Sequence, residues 1–184
     1  MSKAAKTAMG GMMVALSVVI LIPTALEIFV YALPAFAGMI TMLCVIELDK
    51  KWAFGVYAAT SIISLLVVPN KEAAVMYVAF FGYYPIVKSV FESKLPKVLE
   101  YILKFLVFNI SVIIAYAALV KVFGMPFNEL MGIEEGSSWG NFAVPVLLAL
   151  GNLVFITFDV CLTRVVTVYL KVWQKKFHKM FKFK

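Results

Sequence analysis

The chain has 184 residues, of which 64% are apolar and 15% aromatic, with a mean hydropathy of +0.98. No soluble domain hides that much apolar surface inside itself, so the sequence reads as an integral membrane protein of several spans with no separate soluble module. The formal net charge of +7 does not point to nucleic acid, because the basic residues sit at predicted helix ends and in the last fourteen residues.

From Gly10 to Leu48 the chain is apolar except for Glu27 and its terminal acids, which is too long for one crossing at about 1.5 Å per residue. Pro23 and Pro34 mark the break, because proline removes a backbone donor and clashes with the preceding turn. Helix 1 is therefore expected at about 8–24 and helix 2 at about 34–47, joined by TALEIFVYAL. Lys3 and Lys6 before an apolar run, with Ala35-Phe36-Ala37 after it, imitate a signal peptide, but the segment is read as a retained first helix. ELDKK ends helix 2, helix 3 covers about 52–68 and stops at Pro69-Asn70, and helix 4 covers about 72–88. A polar link, SVFESKLPK, leads to helix 5 at about 97–123. After the mixed loop MPFNELMGIEEGSSWGN, helix 6 covers about 142–168, followed by a basic amphipathic tail at about 169–184.

The expected fold is thus a single all-α domain, a six-helix membrane bundle. The lysines agree with this count. Lys3, Lys6, Lys50, Lys51, Lys88, Lys94, Lys97 and those of the tail fall on one side, and the other keeps Lys71 and Lys121 beside Glu27, Glu72, Glu129, Glu134 and Glu135. By the positive-inside rule both termini are cytoplasmic. The tail alternates Trp173, Phe177, Met180 and Phe181 with lysines, a pattern suited to an anionic membrane surface.

Catalysis finds no support in this sequence. Cys44 and Cys161 lie in apolar runs with no CxxC pattern, and His178 stands alone in the tail. There is no GxSxG, no HExxH and no phosphate loop, so neither an enzyme nor a self-powered pump is expected, and no metal or cofactor. Polar residues within the spans are costly and tend to face a cavity or another helix. Helix 4 stacks Tyr77, Phe81 and Tyr84. Helix 5 aligns Asn109 and Tyr116, with Lys121 rotated away near its outer end, and helix 6 aligns Asn141, Pro145, Leu148, Asn152 and Asp159. Interhelical hydrogen bonding and ring packing explain each residue singly. As a group, Glu27, Tyr31, Tyr77, Tyr84, Asn109, Tyr116, Lys121, Asn141 and Asn152 form a candidate substrate site in the outer half, with the connection around Glu27 as a lid. Asp159 and Arg164, five residues apart, point about 140° from each other and need partners elsewhere.

The first helix carries Ala4, Ala8, Gly11 and Ala15 on one stripe. Small residues let helices approach closely in lipid, either within the chain or against a partner. With six helices, cytoplasmic ends and this AxxxA-like pattern, the chain resembles the substrate-binding S component of energy-coupling factor vitamin transporters. The resemblance implies that the helix 1 stripe contacts a transmembrane coupling subunit, that two cytoplasmic ATPases supply the energy, and that a vitamin-like small molecule binds on the outer side of a prokaryotic plasma membrane. The alternative is a membrane scaffold or assembly protein of similar shape that binds no ligand.

Overall fold

The computed structural model describes residues 2–27, 29–126 and 140–174, with the backbone alone for residues 140–144 and 173. Among the described residues every regular element is helical, and the helices form six rods. The tail residues 175–184 and the loop residues 127–139, with Glu129, Glu134 and Glu135, lie outside them.

Helix α1 (Lys3–Leu21) begins well before the expected start because the Ser2 hydroxyl accepts the N–H of Ala5 at 3.2 Å, a local N-cap. It runs on into a 3-10 turn, Ile22–Leu26, with Pro23 near its start, where the missing N–H ends the regular α-helical ladder. The connection turns through left-handed backbone at Glu27 (φ 57°) and Phe29 (φ 56°). Helix α2 is Ala32–Glu47 and α3 is Lys50–Val67. The fourth rod is composite: α4 (Lys71–Met76), a π-helical segment (Tyr77–Phe81) and α5 (Tyr84–Lys94). It corrects the expected link at SVFESK, which is helical as far as Lys94 and stops before Pro96, whose ring disfavours helix in the preceding residue. Helix α6 is Lys97–Phe123, and α7 (Gly140–Val168) continues into a π segment, Tyr169–Trp173.

Four stretches are long and apolar enough to cross a membrane: Lys3–Leu26, Lys71–Lys94, Lys97–Phe123 and Pro145–Val172. They mark a membrane protein. Helix α2 is apolar but shorter, at 16 residues, and α3 opens on two lysines. Leucines, isoleucines and valines such as Leu66, Val98, Ile113 and Leu153 are exposed along these rods, as a lipid-facing surface requires.

Pro85 explains the composite rod. It has no N–H for the carbonyl of Phe81 one turn back, and its ring would clash there in a regular helix. The widened π turn, closed by the Gly82 N–H to the Tyr77 carbonyl at 2.8 Å, relieves that clash. Two neighbours use the opening. The Tyr57 hydroxyl donates to the Val78 carbonyl at 2.8 Å, and α2 brings Gly38 against the Phe81 carbonyl, where a Cβ would collide. Below this point, aromatic rings fill the bundle between α5, α6 and α7. Phe80 packs edge-on to Phe108 and Phe155, and Phe108 stacks on Phe155 at 4.8 Å beside Gly151.

One end of the bundle is rich in lysine. There Lys6 pairs with Asp49 at 3.4 Å, Lys50 reaches the Ser89 carbonyl, and Tyr169 donates to Glu47. Asp49 caps α3 by accepting the N–H groups of Lys51 and Trp52 at 2.9 and 3.0 Å. The Trp52 bond, with smaller help from Lys6 and Lys51, holds this carboxyl below the usual carboxylate range. Its stabilisation is therefore complete above about pH 4 and fades as pH falls through the lowered value. Asp49→Ala should lower the melting temperature at pH 7, by an amount that shrinks in acid, whereas Asp49→Ser, a cap without a charge, should restore most of the loss.

Candidate functional site

The interior polar groups fall into three layers along the bundle. At the end opposite the lysines, the Tyr31 hydroxyl donates to Glu72 at 2.5 Å and lies 3.5 Å from the Tyr116 hydroxyl. This joins the start of α2 to α4 and α6. Burial, and then the Glu72 carboxylate, hold the Tyr31 hydroxyl above the usual phenol range, so it remains a donor. Glu27 is exposed in the connection beside this layer, and Lys121 is exposed on α6.

In the middle layer, Asn109 on α6 and Asn152 on α7 form a reciprocal amide pair at 3.0 and 3.2 Å. Each also donates to a carbonyl one turn back, Phe105 and Leu148, so all four amide N–H groups are engaged. Tyr77 is fully buried, with its hydroxyl 3.4 Å from that of Thr41. The side chain of Asn141 lies outside the described residues. A double-mutant cycle on Asn109→Ala and Asn152→Ala should return a coupling of about 0.6 kcal/mol, and at most about 1.7, the range for such bonds between membrane helices.

The third layer lies toward the lysine-rich end and gathers charge. Lys88 on α5 is buried, with its ammonium 2.6 Å from both Asp159 Oδ1 and Glu92 Oε1. Lys104 on α6 is buried too, and its ammonium meets three carboxylates: Glu100 at 2.6 Å, Glu92 at 2.9 Å and Asp159 Oδ2 at 3.3 Å. Tyr84 completes the group by donating to Asp159 Oδ1 at 2.6 Å. Tyr84 thus belongs to this layer and not to the outer half, seven residues along the rod from Tyr77. The partners that Asp159 needs are Tyr84, Lys88 and Lys104, while Arg164 is exposed.

Compared with protein-family models, with curated proteins and with solved structures, the chain finds no match.

Among the described side chains the candidate site residues are accordingly not one cluster. Tyr31 meets Tyr116, Asn109 meets Asn152, and Tyr77 and Tyr84 each bond elsewhere. An open apolar groove of about 260 Å³ lies between α2 and α7, walled by residues such as Phe36, Met39, Val154 and Cys161, and none of the candidates with a described side chain lines it. Among the described residues no group of His, Cys, Asp and Glu is placed to hold a metal. Chemically the charged layer ties α5, α6 and α7 together, with its carboxylates engaged by the two lysines and Tyr84.

Sequence reasoning passed over Glu92, Glu100 and Lys104, and took Lys88 for a marker of the membrane boundary. A signal was present. Lys88 with Glu92, and Glu100 with Lys104, are opposite charges four residues apart, on one helical face. Reading SVFESK as a link hid the first pair.

Proposed function

We propose that the chain is the substrate-capturing membrane subunit of an importer of the energy-coupling factor type, taking up a vitamin or related small metabolite and powered by partner ATPases. The observation that carries this reading is the face of α1. Ala4, Ala8, Gly11 and Ala15 are all exposed, and a Cβ on Gly11 would meet nothing within 4 Å. The opposite face, with Gly10, Ser17 and Leu21, packs on the bundle. A bare stripe turned away from its own chain suits the close approach of another membrane helix. The Tyr31, Glu72 and Tyr116 hydrogen bonds, next to a connection held in left-handed backbone, suit a ligand entrance at the opposite end. In this reading the bundle crosses the prokaryotic plasma membrane six times, with both ends of the chain in the cytoplasm, and catalyses no covalent change.

A second reading, a scaffold that binds no ligand, is favoured by the Asn109 and Asn152 pair, whose amide donors are already occupied. One experiment separates the two. Ala8→Leu or Gly11→Leu should abolish co-purification with a coupling subunit and its ATPases without lowering the melting temperature of the isolated protein. A screen of vitamins should yield a stabiliser weakened by Tyr31→Phe or Tyr116→Phe. Unchanged co-purification together with an empty screen would leave the scaffold.

A further inference from the structure

The apolar groove between α2 and α7 ends beside two cations. Its wall on α7 runs from Val154 to Cys161, about 10 Å along the helix axis. Arg164 follows the lining residues Thr157 and Cys161 by seven and three positions, so it stands on the same side of α7, one step nearer the lysine-rich end. Lys171 follows about two turns later. Both side chains are exposed, and among the described residues neither pairs with a carboxylate. We propose that this groove and Arg164 together bind one anionic phospholipid from the leaflet at the lysine-rich end. An acyl chain lies between Phe36, Met39, Val154 and Cys161, and Arg164 holds the phosphate, with Lys171 at its rim.

Charge argues for this occupant. Arg164 lies within Pro145–Val172, a stretch long enough to cross a membrane, and an exposed guanidinium there is costly unless it reaches an anion or the headgroups. The nearest acids along the bundle are committed elsewhere. Asp159 points about 140° away from Arg164, to Tyr84, Lys88 and Lys104, and Glu47 accepts from Tyr169. A phosphate suits the planar fork of an arginine, and basic sites between membrane helices favour anionic headgroups. The groove itself offers little to a polar metabolite, since the Thr157 hydroxyl donates back to the Leu153 carbonyl at 3.0 Å. It opens on exposed apolar side chains such as Val154 and Val160, which face lipid in a membrane protein. This inference is independent of the importer reading, since a scaffold with the same groove would hold the same lipid.

The test titrates lipid into detergent micelles of the full-length protein. Phosphatidylglycerol should raise the melting temperature and stay bound as one copy in native mass spectra, a reading that needs no variant to fold. Phosphatidylcholine with the same chains should bind more weakly, and glycerol phosphate, a headgroup without chains, should not stabilise. Arg164→Gln should weaken phosphatidylglycerol binding about tenfold, the loss of one charge-assisted contact, and Lys171→Gln should weaken it less. Val154→Phe or Cys161→Phe, which set a ring at either end of the groove, should also reduce retention. Lys121→Gln, an exposed cation at the opposite end of the bundle, should change nothing. No stabilisation of the unmodified protein by phosphatidylglycerol, equal stabilisation by glycerol phosphate, or Arg164→Gln binding as tightly as Lys121→Gln would each overturn the proposal. So would groove variants that retain the lipid in full, or dimers that form without phosphatidylglycerol and are broken by Cys161→Phe, which would put a second copy in the groove.

Discussion

Lys88→Met is expected to destabilise the folded protein by about 3–5 kcal/mol, the usual cost of removing one partner from a buried ion pair. The lysine is fully buried and touches two carboxylates at 2.6 Å, so the variant leaves Glu92 and Asp159 short of their closest cation and doubles the excess negative charge. Methionine keeps the length of the stem, which separates lost charge from lost packing. Lys104→Met should cost a similar amount, whereas Lys50→Met, on an exposed side chain at the same end, should stay within about 0.5 kcal/mol. Adding Asp159→Asn to Lys88→Met should recover part of the loss, because one lysine then faces two carboxylates and the excess returns to a single charge. Equilibrium unfolding of the four variants in mixed micelles checks the set, and a double variant no more stable than Lys88→Met would contradict it.

Gly38→Ala should be the most damaging single methyl group in the bundle. A Cβ there would collide with the Phe81 carbonyl oxygen and lie 3.1 Å from its carbon, and both are backbone atoms that no rotamer change can move. Either α2 retreats from the π segment or the π segment closes, and the overpacking cost is about 1–3 kcal/mol or more. Gly82→Ala meets the Tyr57 and Tyr77 rings at 2.6–2.9 Å, so the two tyrosines must rotate together. Gly11→Ala, with nothing near its Cβ, should stabilise α1 slightly by helix propensity. Melting temperatures in one detergent, ranked Gly11→Ala above the parent and Gly38→Ala lowest, would bear this out.

Much of the architecture was legible because membrane helices announce themselves by composition. The rods that end at Pro69-Asn70 and begin after Pro96 follow directly from proline chemistry, and the bounds of α6 agree with those expected. The composite rod was harder. Pro85 sits inside an apolar run, and the sequence does not say whether such a proline kinks, breaks or widens a helix; that depends on Gly38 and Tyr57, which come from other rods. The contacts among the candidate site residues were out of reach for a related reason. Helical stripes order residues around an axis but do not say which rods face each other, so the hydrogen bonds between Asn109 and Asn152 could not be read from them. Tyr84 shares a stripe with Tyr77, and only the position of Asp159 on α7 draws it to another layer.

The π segment has one further consequence, for length rather than identity. Its wide turn holds one residue more than the regular helix around it, so everything after Phe81 is turned by about 100° relative to an uninterrupted rod. Tyr84, Lys88 and Glu92 reach Asp159 and Lys104 only in that phase. Removing one residue from 77–81 would use up the surplus and keep Lys88 in phase with Asp159, whereas adding one would turn the Lys88 ammonium by about 100°, out of reach of Asp159. Over this stretch the phase of the cluster should survive the loss of one residue and not the gain of one.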